Sequence, residues 1–242
     1  MFDWQAFASF SPGWAEKTTY HREIDSTNNE ALRLIGEGLH GTHVILADHQ
    51  TAGKGRRGKS WDSEQGAGLL FSVSIPFQEE TEVGQLALIA GLSLLRALAK
   101  HQITAQIKWP NDVIYQGRKC AGILIEAQQK MAVIGIGINV DSGVPLDLPD
   151  TASALPVNRE QLLADVLSSL VETIAEARHG FAGLCDELRD ACFLTGKTIN
   201  FTQGNASLSG KVCGISDEGA LVVDTGKGPQ SFFQAADIIC EK

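Results

Sequence analysis

Two periods of apolar and polar positions run through this chain and divide it into a long mixed part and a short part made only of strands. Asp25-Ser26-Thr27-Asn28-Asn29-Glu30 opens the first clear helix. Thr27-x-x-Glu30 has the form of a capping box, and Leu32, Ile35 and Leu39 follow at helical spacing. Val44-Ile45-Leu46-Ala47 is an apolar run of strand length, and Gly68 to Ile75 is a second, closed by Pro76. Residues 82–100 return to the helical period, with Val83, Leu86, Ile89, Ala90, Leu94 and Leu98 on the buried side. Ile103, Ala105, Ile107 and Trp109 alternate as a strand does. Val113-Ile114-Tyr115 and Ala121 to Glu126 flank Gln116-Gly117-Arg118-Lys119 and predict a hairpin around a glycine turn. Met131 to Val140 is a further strand, whose glycines point to close approach of another group. A Pro/Asp-rich loop, Asp141 to Pro156, leads to Asn158, which caps a helix from Arg159 to about Arg178 with Leu162, Leu163, Val166, Leu170 and Ile174 facing in. A short helix covers about Leu184 to Cys192.

Beyond Gly196 the texture changes. Thr198–Phe201, Ala206–Ile215, Ala220–Asp224 and Gln230–Phe233 read as short strands separated by Gly, Asn and Asp turns, the pattern of a small β-barrel. The expected fold is α+β, a mixed sheet with helices packed on it, divided into residues 1–192 and 193–242. The first 20 residues carry Phe2, Trp4, Phe7, Phe10 and Trp14 and predict a short docked arm. They are too few for a helix-turn-helix module, which needs two or three helices.

Composition narrows the setting. The chain has 242 residues, 43% of them hydrophobic, enough for a substantial core. Its formal net charge of −9 is unlike a general nucleic-acid binder. Five cysteines without a C-x-x-C spacing and scattered histidines suggest neither a disulfide framework nor a zinc site. With no signal-like N-terminus and no membrane-length apolar run, the expected setting is a reducing cytoplasm.

Against that acidic background, Gly53-Lys54-Gly55-Arg56-Arg57-Gly58 places three glycines among three cations. Glycines permit positive φ and close approach to the backbone. Successive amides can form an anion nest, and lysine and arginine add charge-assisted hydrogen bonds. The loop therefore reads either as a site for an anionic small molecule or as a solvated basic turn. Other polar clusters stand at strand and helix ends: Ser26-Thr27-Asn28, Gln50, Lys108-Trp109-Pro110-Asn111-Asp112, Arg118-Lys119, and Asn139. Ser26 and Thr27 can cap the helix, bind a ligand at its N-terminus, or do both.

In these motifs, their order and their spacing, the chain resembles the biotin protein ligases. The matching stretches are Asp25 to Asn28, Gly53 to Gly58 followed by Trp61, Lys108 to Asp112, Arg118 to Glu126, and Gly135-Ile136-Gly137-Ile138-Asn139. The resemblance spans about residues 20 to 240 and implies a class II synthetase-like catalytic domain followed by an SH3-like barrel. It also implies a two-step reaction. Biotin and ATP, with Mg²⁺, give biotinyl-5′-AMP, and a lysine on a biotin carboxyl carrier domain then takes the biotinyl group. For biotin the resemblance implies Ser26, Thr27, Asn28, Gln50, Lys54, Gly55, Arg56 and Lys119, with Gly122, Leu124 and Gly135 lining the apolar cavity. For the nucleotide it implies Gly53, Arg56, Arg57, Gly58, Trp61, Asn111, Lys119 and Asn139. Arg56, Lys119 and Asp112 are the implied catalytic residues, Arg56 also holding the adenylate and Asp112 accepting a proton from the incoming lysine. Asn111 and Asp112 are the candidates for Mg²⁺.

Trp61 either stacks on a ring or packs, Trp109 and Pro110 are expected to be structural, and Glu126 to make a structural hydrogen bond at a strand end. Lys54 stands where many relatives have arginine, and lysine lacks the bidentate fork. The Asp141–Pro156 loop has no aromatic side chain to name as an adenine stacker. Competing readings are a lipoate or octanoate ligase or transferase on the same scaffold, a biotin-responsive repressor, and a catalytically silent biotin-binding module. About 20 residues before the Asp25 motif weigh against the repressor, and the expectation is a form without a DNA-binding domain. Membrane binding is not expected, and relatives include both monomers and homodimers.

Overall fold

A computed structural model describes residues 1–63, 65–77, 83–140 and 153–240, with the side chain of Val83 outside that set. The expected loop Asp141–Pro156 therefore lies outside the described residues up to position 152. Two short helices, α1 (Trp4–Phe10) and α2 (Pro12–Ala15), lead into strand β1 (Thr18–His21). Helix α3 (Thr27–Gly36) joins β1 to β2 (His43–Ala47), and β3 (Gly68–Pro76) returns antiparallel to β2. After α4 (Val83–Lys100) come β4 (Gln106–Lys108), β5 (Asp112–Tyr115), β6 (Arg118–Gln128) and β7 (Met131–Asn139). The seven strands form one mixed sheet in the order β1-β2-β3-β7-β6-β5-β4, with β1–β2 its parallel pair. Helices α5 (Arg159–Arg178) and α6 (Cys185–Asp190) follow. The chain ends in β8 (Thr198–Gln203), β9 (Ala206–Ile215), β10 (Leu221–Asp224), β11 (Pro229–Phe232) and β12 (Ala236–Cys240). These make a second, antiparallel sheet in the order β11-β10-β9-β8-β12, in keeping with the SH3-like expectation.

Side-chain alternation explains why the large sheet has two unlike faces. Ala132, Ile134, Ile136 and Ile138 of β7, with Leu69, Phe71 and Val73 of β3 and Ile123 of β6, face the main core beneath α4 and α5. Met131 and Val133 face the other way and pack with Ile45 against Ala31 and Ile35 of α3. Gly135, Gly137 and Asn139 share this second parity. The motif Gly135-Ile136-Gly137-Ile138 is thus isoleucine to the core and glycine to an open face.

Several expectations are corrected. Ser26, not Thr27, is the N-cap of α3, and no side chain caps it. Glu30 instead pairs with Arg33 at 2.6 Å, because a tertiary partner, Gln50, takes the Thr27 amide. The buried stripe of α3 runs through Thr27, Asn28, Ala31 and Ile35, with Leu32 and Leu39 only half-buried. Ile103, Ala105, Ile107 and Trp109 are all buried as the alternation requires, but only Gln106–Lys108 pairs with β5, since Pro110 has no amide to extend the ladder. The β5–β6 turn is Gln116-Gly117, with φ of 52° and 77°, which puts Arg118 and Lys119 inside β6.

The N-terminal arm docks as expected and also contributes β1. The buried Asp48 carboxylate accepts from the Phe2 amide at 2.9 Å and from the Tyr20 hydroxyl, so the arm ends beside the strand that leads to Gln50. Strand β12 escaped the sequence reading: Asp237 sits at φ 49° and the register slips between Ala236 and Ile239, which breaks the alternation. Ile107 exchanges hydrogen bonds with Ala191 and Phe193, between α6 and β8, both 2.8 Å, and the Trp109 indole donates to the Gly219 carbonyl, in the turn between β9 and β10, at 3.0 Å. No helix of the described residues is long and apolar enough to cross a membrane.

Candidate active site

The open face of the sheet carries a cavity of about 640 Å³ walled by the start of α3, the Gly53–Trp61 loop, β5–β7 and residues 235–239. Its base is a chain of polar contacts. Gln50 Oε1 accepts from the Thr27 amide at 2.7 Å and lies 3.0 Å from Thr27 Oγ1. Ser72 Oγ lies 2.7 Å from Thr27 Oγ1 and 2.6 Å from Asn28 Oδ1. Asn28 Nδ2 donates to Glu126 at 2.8 Å, and Lys54 Nζ meets the other Glu126 oxygen at 3.0 Å. Ser26, Thr27, Asn28 and Ser72 are all buried, so this network is costly to leave unsatisfied.

The register decides where glycine is required. Ser72, Gly135 and Leu124 are opposed across β3, β7 and β6. A Cβ on Gly135 would stand 2.1 Å from Asn28 Oδ1. Gly137 and Gly122 are cross-strand partners, and Cβ atoms there would stand 2.5 and 2.8 Å from the Trp61 ring. The indole therefore lies flat on a glycine floor, its N–H buried and without a hydrogen-bond partner among the described residues. Gly135→Ala is expected to destabilise the protein by about 1–3 kcal/mol, because Asn28 must leave its partners or the strand must shift. Thermal unfolding checks this, and an unchanged melting temperature would contradict the packing described.

Above the floor stand the charges. A register shift between Val113 and Ile114 brings Lys119 onto the face of Gly122. Lys119 Nζ is 2.8 Å from Asp112 Oδ1 and 5.3 Å from the centre of the Trp61 ring. Arg56 is half-buried and donates to Asn111 Oδ1 at 2.9 Å, while Asn111 Nδ2 donates to the Ile123 carbonyl. Burial pushes the Arg56 guanidinium below its usual pKa, with the Arg57 charge adding to the shift and Asp112 opposing it. Lys54, Arg56, Arg57, Lys59, Lys108 and Lys119 line the cavity against the carboxylates of Asp112 and Asp237. In a chain of net charge −9 this is a local trap for anions. Beside it, burial pushes the Cys120 thiol up to about 12, so it offers no thiolate nucleophile at neutral pH.

The glycine loop is built rather than slack. The Trp61 amide donates to the Gly53 carbonyl at 2.9 Å, and the Gly55 amide donates to the Lys59 carbonyl at 2.7 Å. A Cβ on Gly53 would meet the Trp61 carbonyl oxygen at 2.3 Å, while Gly58 takes φ 75°. Arg57 holds a left-handed conformation at φ 57°, a strained one for a side chain of this kind and a feature concentrated at functional loops. Across the cavity mouth Lys59 Nζ is 3.9 Å from Asp237.

Residues 20–141 match the Biotin/lipoate A/B protein ligase family, and residues 194–239 match the Biotin protein ligase C terminal domain. The chain belongs to the biotin/lipoate A/B protein ligase family. It is 30% identical over 236 residues to the bifunctional ligase/repressor BirA of Bacillus subtilis (strain 168), covering 89% of this chain and 72% of that one. It is 30% identical over 243 residues to the biotin--[acetyl-CoA-carboxylase] ligase of Mycobacterium tuberculosis, covering 94% and 90%. The solved structure of the biotin protein ligase from Aquifex aeolicus in complex with biotin and ATP superposes with a TM-score of 0.84 at 27% identity, covering 94% of this chain and 99% of that one.

For this member of the family the cavity gathers Ser26, Thr27, Asn28, Gln50, Lys54, Gly55, Arg56, Arg57, Trp61, Asn111, Asp112, Lys119, Gly122, Leu124 and Gly135. Gly53 and Gly58 shape the loop without lining the cavity, and Asn139 is buried at the end of β7, beyond its wall. Lys54, whose role was the weakest of the set, is held by Glu126. Glu126 lies within β6 and bridges two side chains of the site, a larger part than a bond at a strand end. The sequence reading missed Ser72, which stands inside an apolar run, and the wall at residues 235–239, which from Ala236 onward belongs to the unread strand β12.

Proposed function

We propose that this chain attaches biotin to a lysine of a carboxylase carrier domain through biotinyl-5′-AMP. The observation that carries the reading is the stacking of two environments in one cavity. A neutral hydrogen-bonding base of Thr27, Asn28 and Gln50 suits a cyclic urea, and Arg56 and Lys119 above it suit a carboxylate and a phosphate. ATP and biotin are bound by the Aquifex aeolicus relative of the same fold.

In the first step a biotin carboxylate oxygen attacks the α-phosphorus of ATP. The bond to the bridging oxygen breaks, and pyrophosphate leaves with the electron pair. Both reactants are anions, so Arg56 and Lys119 neutralise their repulsion and the charge developing on the phosphoryl oxygens. In the second step the neutral lysine amine attacks the acyl carbon, the acyl–phosphate bond breaks, and AMP leaves. The amine must lose protons on the way. We assign one to Asp112, whose carboxylate is free to accept it once Lys119 turns to the phosphate. Asn111 and Asp112 carry an amide and a carboxylate oxygen, now held by Arg56 and Lys119, and would hold Mg²⁺ once those cations turn to the phosphates. The ion would add positive charge beside the phosphates.

Lipoate or octanoate would leave the Thr27–Asn28–Gln50 base without partners, a penalty sites of this kind use to reject analogues. The division into a ligase domain, 1–192, and a barrel, 193–242, is part of the same proposal. It is supported by the separate match of residues 194–239. The test is incubation with a carrier domain, ATP, Mg²⁺ and biotin. The carrier should gain the mass of one biotinyl group, and lipoate should not substitute. No gain with biotin overturns the proposal.

A further inference from the structure

We infer that Ser72 and Glu126, which stand behind the cavity wall and do not line it, are positioning residues that set which atoms at the base of the site donate and which accept. The inference rests on the ligase reading above and adds the device by which a urea ring is told apart from its near relatives.

Protons can be counted along the chain of contacts. Ionised Glu126 is an acceptor only. It therefore takes the Asn28 amide NH₂ at 2.8 Å, its other oxygen being held by the Lys54 ammonium at 3.0 Å. This fixes the Asn28 amide, and its Oδ1 faces Ser72 at 2.6 Å. An amide oxygen cannot donate, so the single Ser72 proton goes to Asn28. Ser72 and Thr27 are 2.7 Å apart, and Thr27 Oγ1 is also 3.0 Å from Gln50 Oε1; with the Ser72 proton already used, the single Thr27 proton stays within the base, toward Ser72 or Gln50. Gln50 Oε1 accepts from the Thr27 amide at 2.7 Å, so the NH₂ is the end of the Gln50 amide left for a ligand in the cavity that Gln50 lines. The base of the cavity thus presents a hydroxyl lone pair from Thr27 and an N–H donor from Gln50. A cyclic urea offers the complement, N–H donors beside a carbonyl acceptor.

The polarity depends on an acceptor-only group at one end and one hydroxyl in the middle. Ser72 is fully buried in β3, and Gly135 opposite it leaves the room Asn28 needs. With an amide in place of the Glu126 carboxylate, either end of Asn28 can face it. A flipped Asn28 would donate to Ser72, Ser72 to Thr27, and the Thr27 hydroxyl would become a donor toward the ligand. Every side chain stays in place, and what is lost is the direction of the network together with the charge that holds Lys54.

The probes are biotin, desthiobiotin, which keeps the urea, and the two cyclic carbamate analogues of biotin, in each of which an oxygen replaces one ring N–H. Titration calorimetry on the full chain should show Glu126→Gln weakening biotin and desthiobiotin by about tenfold, with the carbamate that brings its ring oxygen to Thr27 weakened little or not at all. The preference for biotin over that carbamate should therefore fall by about the same factor, and kcat for pyrophosphate exchange at saturating biotin should stay within about twofold. Ser72→Ala, which cuts the chain at its middle, should move the preference in the same direction. Equal weakening of all four ligands, or no weakening, in whichever of the two variants folds overturns the inference. A wild-type chain that binds neither biotin nor desthiobiotin overturns the ligase reading instead.

Discussion

Lys119→Ala is expected to lower kcat/KM for biotin-dependent ATP–pyrophosphate exchange by about 10²–10³-fold, the usual cost of removing one preorganised charge from a developing oxyanion. Two effects add. The ammonium that would sit between the biotin carboxylate and the α-phosphate is lost. Asp112, now held by Lys119 at 2.8 Å, becomes an unpaired carboxylate beside two incoming anions. The side chain is only partly buried, at 37% exposure, and it packs on the Trp61 ring rather than in the main core. The melting temperature should therefore change little while the first step fails. The deficit should lie mainly in kcat, since the charge it meets grows in the transition state. Exchange at the wild-type rate would remove Lys119 from the reaction.

Arg56→Ala should fail differently. Arg56 lies on the strained loop, reaches the site by donating to Asn111 at 2.9 Å, and is half-buried there. Its guanidinium is a planar fork suited to a phosphate, and its loop covers the cavity from one side. Removing it takes away both an electrostatic contact and part of the cover. Adenylation should slow by about tenfold to a hundredfold. The fraction of biotinyl-5′-AMP released before transfer should also rise, because the mixed anhydride loses the group that holds its phosphate. Separating free from bound adenylate after a single turnover, without any carrier domain, measures this directly. Arg56→Lys should restore part of the rate but less of the retention, since lysine keeps the charge and loses the fork. If free adenylate does not rise in Arg56→Ala, the loop does not retain the intermediate.

Much of this site was legible because its chemistry sits in short, locally encoded units. Gly135-Ile136-Gly137-Ile138 already states that one face of a strand is core and the other must admit something close. Gly53 to Gly58 shows its anion character in residue types alone, and Lys119 and Asp112 are recognisable from the motifs around them. Ser72 was not legible, because in Gly68 to Ile75 it reads as a small residue in a buried strand. Its role appears only when β7 supplies Gly135 opposite and α3 lays Asn28 between them. Glu126 was underrated for the same reason: its two partners, Asn28 and Lys54, are 98 and 72 residues away. The wall at residues 235–239 was invisible because a left-handed Asp237 and a slipped register hide the alternation of β12.

The sequence by itself determined the change from a mixed part to one made of strands, the period of almost every element, the buried positions of α4 and α5, and the residue types that line the cavity. Those follow from local rules of periodicity, capping and turn chemistry. Only the tertiary structure decided that Thr27 bonds to Gln50 and lines the cavity rather than closing a capping box. It also showed that Trp61 lies on Gly122 and Gly137, and that Lys119 and Asp112 face each other across a register shift. Most of all it brought together the donors and acceptors at the base of the cavity. A proton has one place to go only when every acceptor within reach is known, and these acceptors come from four stretches far apart in the chain.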